Sequence, residues 1–321
     1  MTFSSFWSLL KQTVEEWQRD KVSRLAAALA YYTTFALAPV LVIVIAVASF
    51  MFDQSTVQSQ VIAQIQGLLG ENAAGLIEEM LASKAQTDGG LLATIISVVL
   101  LCVGASGLFI QLQDALDTVW DVVPRKDAGI VKLVRDRLLS FGMVLAIGFL
   151  LLVSLVLSAG LAAASNLLGG SDAVGGAAIL GQVINTLVSF GVITLLFALI
   201  YKILPDVKIA WGDVWIGAAI TAVLFTIGKF LIGLYLGNSS VASAYGAAGS
   251  FVVLLLWIYY SAQILLFGAE FTQVYAHRFG SDIKPDKYAQ FDSDGSLAAD
   301  DTLPKTRTEY RAMRDASEES S

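Results

Sequence analysis

Apolar blocks of 22 to 27 residues recur along the chain between short charged stretches. A hydrocarbon core of about 30 Å takes about 20 helical residues to cross. Six blocks meet that length: residues 26–52, 91–112, 138–163, 181–204, 212–236 and 248–273. The pattern predicts an all-α integral membrane protein of about six transmembrane helices with amphipathic interfacial helices beside them. The first block has no charge between Arg24 and Asp53, and Pro39 falls near its middle. Proline removes a backbone hydrogen bond, so a kink or helix break is expected there.

Between the blocks the periodicity changes. In residues 1–25, Phe6, Trp7, Leu10, Val14 and Trp17 recur at helical spacing, opposite Lys11, Glu15, Glu16 and Arg19. This is an amphipathic helix that either lies along the membrane surface or packs on its own protein. Val57, Val61, Ile65, Leu68, Leu76 and Met80 mark one or two short amphipathic helices within 53–90. Residues 277–321 are polar and without periodicity, which predicts a flexible tail after a membrane domain spanning 26–276.

Composition sharpens the class. Hydrophobic residues make up 56% of the 321 and charged ones 15%, with mean hydropathy +0.70; a soluble domain carries about 25% charged residues. Cys102 is the single cysteine, so no disulfide within the chain and no thiolate metal cluster can form. His277, the single histidine, follows the last block and reads as an interfacial side chain. A net charge of −7 argues against nucleic acid as a partner. The first 25 residues lack the pattern of a cleaved signal peptide. Lysine and arginine cluster before block one, between two and three, between four and five, and after six, while the opposite loops hold only Lys84. The positive-inside rule then places both termini in the cytoplasm of a cell (inner or plasma) membrane.

Few residues suggest chemistry. A charge inside the bilayer costs about 2.5–3.5 kcal/mol on insertion scales, so Lys229 and Glu270 stand out. Their depths differ by too much for direct contact unless the helices are broken or strongly tilted. Lys229 is expected to face a cavity, where it would attract a lipid phosphate or a carboxylate. Glu270 reads either as a helix-end carboxylate bonded to donors such as Arg19 or Arg24, or as a coupling group. Tyr31 and Tyr32 are further candidates for substrate contact or interhelical hydrogen bonds, beside the break at Pro39. Asp114, Asp117 and Asp121 share one helical face, which suits a solvated surface or, alternatively, Mg²⁺. No GxSxG, HExxH, P-loop or paired cysteines are present. The sequence thus offers no catalytic site, no resident metal and no cofactor.

Four stretches, RDKVSRLAAALAYYTTFALAPVLVI (19–43), WDVVPRK (120–126), LPDVKIAWGDVWIGAAITAVLFTIGKFLIGLYL (204–236) and SAYGAAGSFVVLLLWIYYSAQILLFGAEFTQVY (243–275), resemble the YihY/BrkB family of bacterial and archaeal membrane proteins. The resemblance implies a six-helix inner-membrane protein. It also implies that the family's former ribonuclease label is a mistaken transfer, and that export or flipping of envelope lipids or other solutes is the activity to expect. The leading reading is therefore a transporter or lipid translocase whose partners are membrane lipids, with an anionic lipid or small solute as cargo. A non-transporting membrane scaffold is the alternative, and a membrane-bound nuclease built on Asp114, Asp117 and Asp121 ranks last.

Overall fold

The computed structural model describes residues 3–50, 53–69, 74–79, 81, 106–125, 135, 138–139, 142–143, 146, 149–150, 176–238, 248–280 and 283–292. Its helices are α1 (Phe3–Arg19), α2 (Val22–Ala48), α3 (Gln54–Leu69), α4 (106–119), α5 (Gly176–Ile203), α6 (Trp211–Asn238) and α7 (Gly249–Phe279). Four of them, α2, α5, α6 and α7, are long and apolar enough to cross a membrane. They overlap the first, fourth, fifth and sixth apolar blocks. The blocks at 91–112 and 138–163 lie largely outside the described residues.

Helix α2 corrects one expectation. It is continuous from Val22 to Ala48, with Pro39 inside it and buried. Proline is tolerated within such a helix because neighbouring groups compensate for the missing backbone bond. The exposed loop before α3 supplies a helix cap in the ordinary way: Asp53 Oδ2 accepts from the backbone N–H groups of Ser55 and Thr56, at 3.1 and 3.2 Å.

Helix α7 is the centre of the bundle and packs against α6, α2 and α1. Small residues allow the closest approach. On α6, Thr221 bonds back to the Gly217 carbonyl (2.8 Å); on α7, Thr272 does the same to Gly268 (2.6 Å). Each threonine then fills the space over the opposite helix's glycine. A Cβ on Gly217 would overlap Thr272, and one on Gly268 would overlap Thr221 and the Tyr201 hydroxyl. In lipid, where apolar burial gives helices little reason to associate, such small-residue contacts supply the packing. Tyr201 of α5 closes the group, donating to the Leu265 carbonyl at 2.7 Å beside Thr221.

At one end of the bundle two short antiparallel pairs tie the connectors together. Strand β1 (Val122–Pro124) follows α4, β2 (Val207–Lys208) joins α5 to α6, and β3 (Lys284–Pro285) and β4 (Ala289–Phe291) follow α7. Val122 pairs with Phe291 and Pro124 with Ala289, while Val207 pairs with Pro285. Between β3 and β4, Asp286 forms ion pairs with Arg135 and Lys208, and its N–H donates to the Asp206 carbonyl at 2.8 Å. The flexible tail expected from residue 277 therefore does not begin there. Helix α7 runs on to Phe279 with His277 buried, and 283–292 clasp the connectors. Residues 293–321 lie outside the described residues.

The reciprocal Gly–Thr contact makes a direct prediction. Gly217→Val or Gly268→Val should destabilise the detergent-purified protein by at least what core overpacking costs, about 1–3 kcal/mol, read as a lower thermal midpoint. Thr221→Ser, which keeps the hydroxyl and loses only a methyl, should have a much smaller effect in the same melting assay.

Candidate functional site

The first helix buries a face that its sequence pattern did not single out. Leu9, Thr13, Glu16 and Asp20 are spaced by four, three and four residues, and all are buried. Leu9 sits against Phe271 and Val274 of α7, while Phe6, Trp7 and Val14 stay exposed. Helix α1 thus packs on its own protein and still presents apolar side chains outward.

That packing carries two carboxyls and a guanidinium into the bundle. Arg19 Nη1 pairs with Glu16 at 2.7 Å, Nε with Asp20 at 3.0 Å, and Nη2 with Asp121 at 3.2 Å. The planar fork of arginine has donors enough for three carboxylates at once. Asp121 also accepts from Gln273 Nε2 of α7 at 3.2 Å. Burial works against the Arg19 charge, but Asp121, Asp20 and Glu16 outweigh it and hold the guanidinium above its ordinary value. Burial pushes the Asp20 carboxyl up from its ordinary 3.8 to about 6; Arg19 opposes this by charge and hydrogen bond, and Asp121 adds to it.

Glu270, wholly buried on α7, faces the same cluster. Of the two arginines expected beside it, Arg19 is there and Arg24 is exposed. The two turns that carry the cluster are unusual. Lys21 (φ 53°), next to Asp20, and Asp121 (φ 51°) are the non-glycine residues with left-handed backbone among those described. Such conformations persist where surrounding contacts over-determine them, and here Arg19 bridges both turns.

The three acidic residues read from one helical face do not act together. Asp114 is exposed, Asp117 Oδ1 accepts from the Asp206 N–H at 2.7 Å, and Asp121 belongs to Arg19. No group of three or more His, Cys, Asp or Glu side chains among the described residues is arranged to hold a metal ion.

Above the cluster lies a partly open cavity of about 390 Å³ with an almost wholly apolar wall. Leu29 and Leu41 of α2, Leu112 of α4, Phe197 of α5, Phe225 of α6 and Trp257 of α7 line it, with Thr33 and Ser261 the polar residues among its lining. Thr33 spends its hydroxyl on the Leu29 carbonyl. Leu265 also lines the cavity, and Glu270 is five residues further along α7, about 7.5 Å along the axis.

The remaining sequence candidates lie elsewhere. Tyr31 and Tyr32 are 59% and 43% exposed, stacked edge-on with each other on the outer face of α2. Lys229 is not in the cavity. It is exposed on α6 among Ile227, Phe230 and Leu231. It stands 18 residues from the exposed Trp211, about 27 Å along the helix, close to a full hydrocarbon thickness. The cavity expected at Lys229 is therefore lined by other residues.

Residues 13–292 match the family described as virulence factor BrkB. The chain belongs to the BrkB family. Among its relatives, the UPF0761 membrane protein of Actinobacillus pleuropneumoniae serotype 5b is 26% identical over 269 residues, covering 82% of this chain and 91% of its own. That of Albidiferax ferrireducens is 27% identical over 270 residues, covering 82% of this chain and 61% of its own. A shorter match, to Alteromonas mediterranea, is 37% identical over 94 residues, 29% of this chain and 32% of the relative. The chain spans less than two thirds of the length of several such relatives. The names of these BrkB-family relatives state a membrane protein and no reaction. No solved structure matches the chain.

The cluster predicts a pH dependence. Because the folded-state value of Asp20 lies above its unfolded one, folding takes up a proton between about pH 4 and 6. The stability contributed by protonated Asp20 is complete below its ordinary 3.8 and is lost as pH rises through about 6. Thermal melts across this window should show the wild-type midpoint falling with pH. Asp20→Asn, neutral throughout, should flatten that slope.

Proposed function

We propose that this BrkB-family protein binds the apolar part of a lipid or other amphipathic molecule in its cavity and moves that molecule across the membrane. The cavity is the observation that carries the reading. Its volume falls at the lower end of the range of small-molecule sites, about 300–1,000 Å³. Its wall offers almost no hydrogen bonds, which suits an acyl chain or a similar apolar group and not a sugar or an inorganic ion. It is bounded by α2 to α7 and by Ile77, so small rearrangements among several helices would change its access.

The end that bears α1, the cluster and the four strands faces the cytoplasm in this reading. Arg125, Lys208, Lys284 and Lys287 lie on the connectors there, with Lys202 in the last turn of α5 and Arg135 paired to Asp286, as the positive-inside rule requires. Lys229 then supplies a cation near the opposite interface, where phosphate head groups lie, at a worth of about 1 kcal/mol.

Translocation of a fluorescent anionic phospholipid in proteoliposomes tests the proposal. Wild-type protein should accelerate flux over empty vesicles. Ile193→Trp or Leu196→Trp, which place an indole in the cavity, should slow it at least tenfold in protein that remains monodisperse. Lys229→Met should shift the preference for anionic over zwitterionic lipid by about the tenfold or less that one interfacial charge supplies. Equal flux in the wild type and both tryptophan variants would sink the assignment of the cavity.

A further inference from the structure

Glu270 is 0% exposed, and among the described residues neither of its carboxyl oxygens has a hydrogen-bond partner. Its carboxyl lies within hydrogen-bonding reach of that of Asp20, whose Oδ2 also lacks a donor. Two carboxylates offer acceptors only. Their contact becomes a hydrogen bond when one oxygen carries a hydrogen, and without it two like charges are forced together out of water.

The surroundings supply no other answer. From α1 and the turn after it come Glu16, Arg19 and Asp20, and from the end of α4 comes Asp121. Arg19 is therefore the one cation against four carboxyls in this set. It already bonds Glu16, Asp20 and Asp121. On α7 itself, Gln273 donates to Asp121, Arg278 donates to Ser8 of α1, and buried His277 feels the charge of Arg19. On α6, Asp213 packs at Gly280, beyond His277. On α5, Tyr201 is committed to the Leu265 carbonyl and Thr221. No metal-binding arrangement occurs among the described residues, so a divalent ion does not suit these oxygens.

We propose that Asp20 and Glu270 form a buried proton-binding site, sharing one exchangeable proton between their carboxyl groups, and that loading and release of this proton accompany passage of cargo through the adjoining cavity. Only O–H bonds form and break: the proton arrives from water on a carboxylate oxygen and returns to water. The second half of the proposal rests on the translocase reading; the first half does not. The position of the site gives the coupling its basis. Leu29, Leu112 and Leu265 line the cavity, and the same three chain segments continue into Asp20, Asp121 and Glu270. Helices rearranging around cargo would thus alter the distance between the two carboxyls.

Infrared spectroscopy of the full chain in lipid nanodiscs reads the proton directly. At neutral pH the wild type should show the C=O band of a buried protonated carboxyl, shifted in heavy water and lost at higher pH. Glu270→Gln should abolish it, and Asp20→Asn, which leaves the wholly buried Glu270 without its acidic partner, should shift its frequency, with folding checked by circular dichroism and size exclusion. Absence of the band, its survival in Glu270→Gln, or an unshifted band in Asp20→Asn overturns the site. A wild-type band that sodium chloride removes and potassium chloride does not would assign the site to sodium ion and overturn the proton. Lipid flux measured on the same preparations separates the two ideas. A titrating band without flux supports the proton site and refutes the translocase. Flux without a band refutes the proton site alone. With both present, Glu270→Gln should lose the pH dependence of flux.

Discussion

Arg19 is the cation on which this end of the molecule depends. Its guanidinium bonds carboxylates from α1, from the turn into α2 and from the turn after α4, and its field reaches Glu270 on α7. Buried ion pairs recover their desolvation cost only when the geometry satisfies the remaining donors and acceptors. Here the fork of one arginine pairs with three acids and still leaves Asp20 Oδ2 without a donor. Removing Arg19 would take from these four carboxyls the cation that Glu16, Asp20 and Asp121 share. The same contacts hold Lys21 and Asp121 in left-handed backbone and bring the start of α2 to the end of α4.

A second constraint works further along the bundle. Gly217 with Thr221, and Gly268 with Thr272, let α6 and α7 touch where each threonine covers the other helix's glycine. Towards the cavity the side chains grow. Phe225 packs edge-on against Trp257 at 6.2 Å and against Phe197 at 5.7 Å. Helices pinned by small residues at one level and held apart by aromatic rings at the next leave space between them. The cavity is the consequence of that change in side-chain size.

Two environments therefore lie within two helical turns of each other. One is a dry apolar chamber, suited to a hydrocarbon chain; the other is a crowded set of carboxyls, suited to a proton. Membership of the BrkB family fixes the kind of protein, and the relatives' names fix its place in a membrane. The chemistry of these two sites is what the proposed transport rests on. The strands after α7 bear on both, because β4 pairs with β1 and the Asp292 N–H donates to the Asp121 carbonyl.

Apolar blocks of more than 20 residues with few or no charges are enough to assign an all-helical membrane protein, because a bilayer imposes a length and a polarity that few other environments require. The cost of burying Glu270 was legible on the same grounds, and Arg19 was among the donors expected near it. What one-dimensional patterns did not carry is which residues meet. Glu16 and Arg19 looked like a solvated face, since amphipathicity reports polarity and not the partner a face will find. Asp121 lies over 100 residues from Arg19. Pro39 passed without a break because its neighbours, and not its own backbone, set the cost. Lys229 does not line the cavity, because the side chains that enclose it come from other positions on the helices. Residues 283–292 ordered through strand pairing with distant connectors, a contact that no local periodicity encodes.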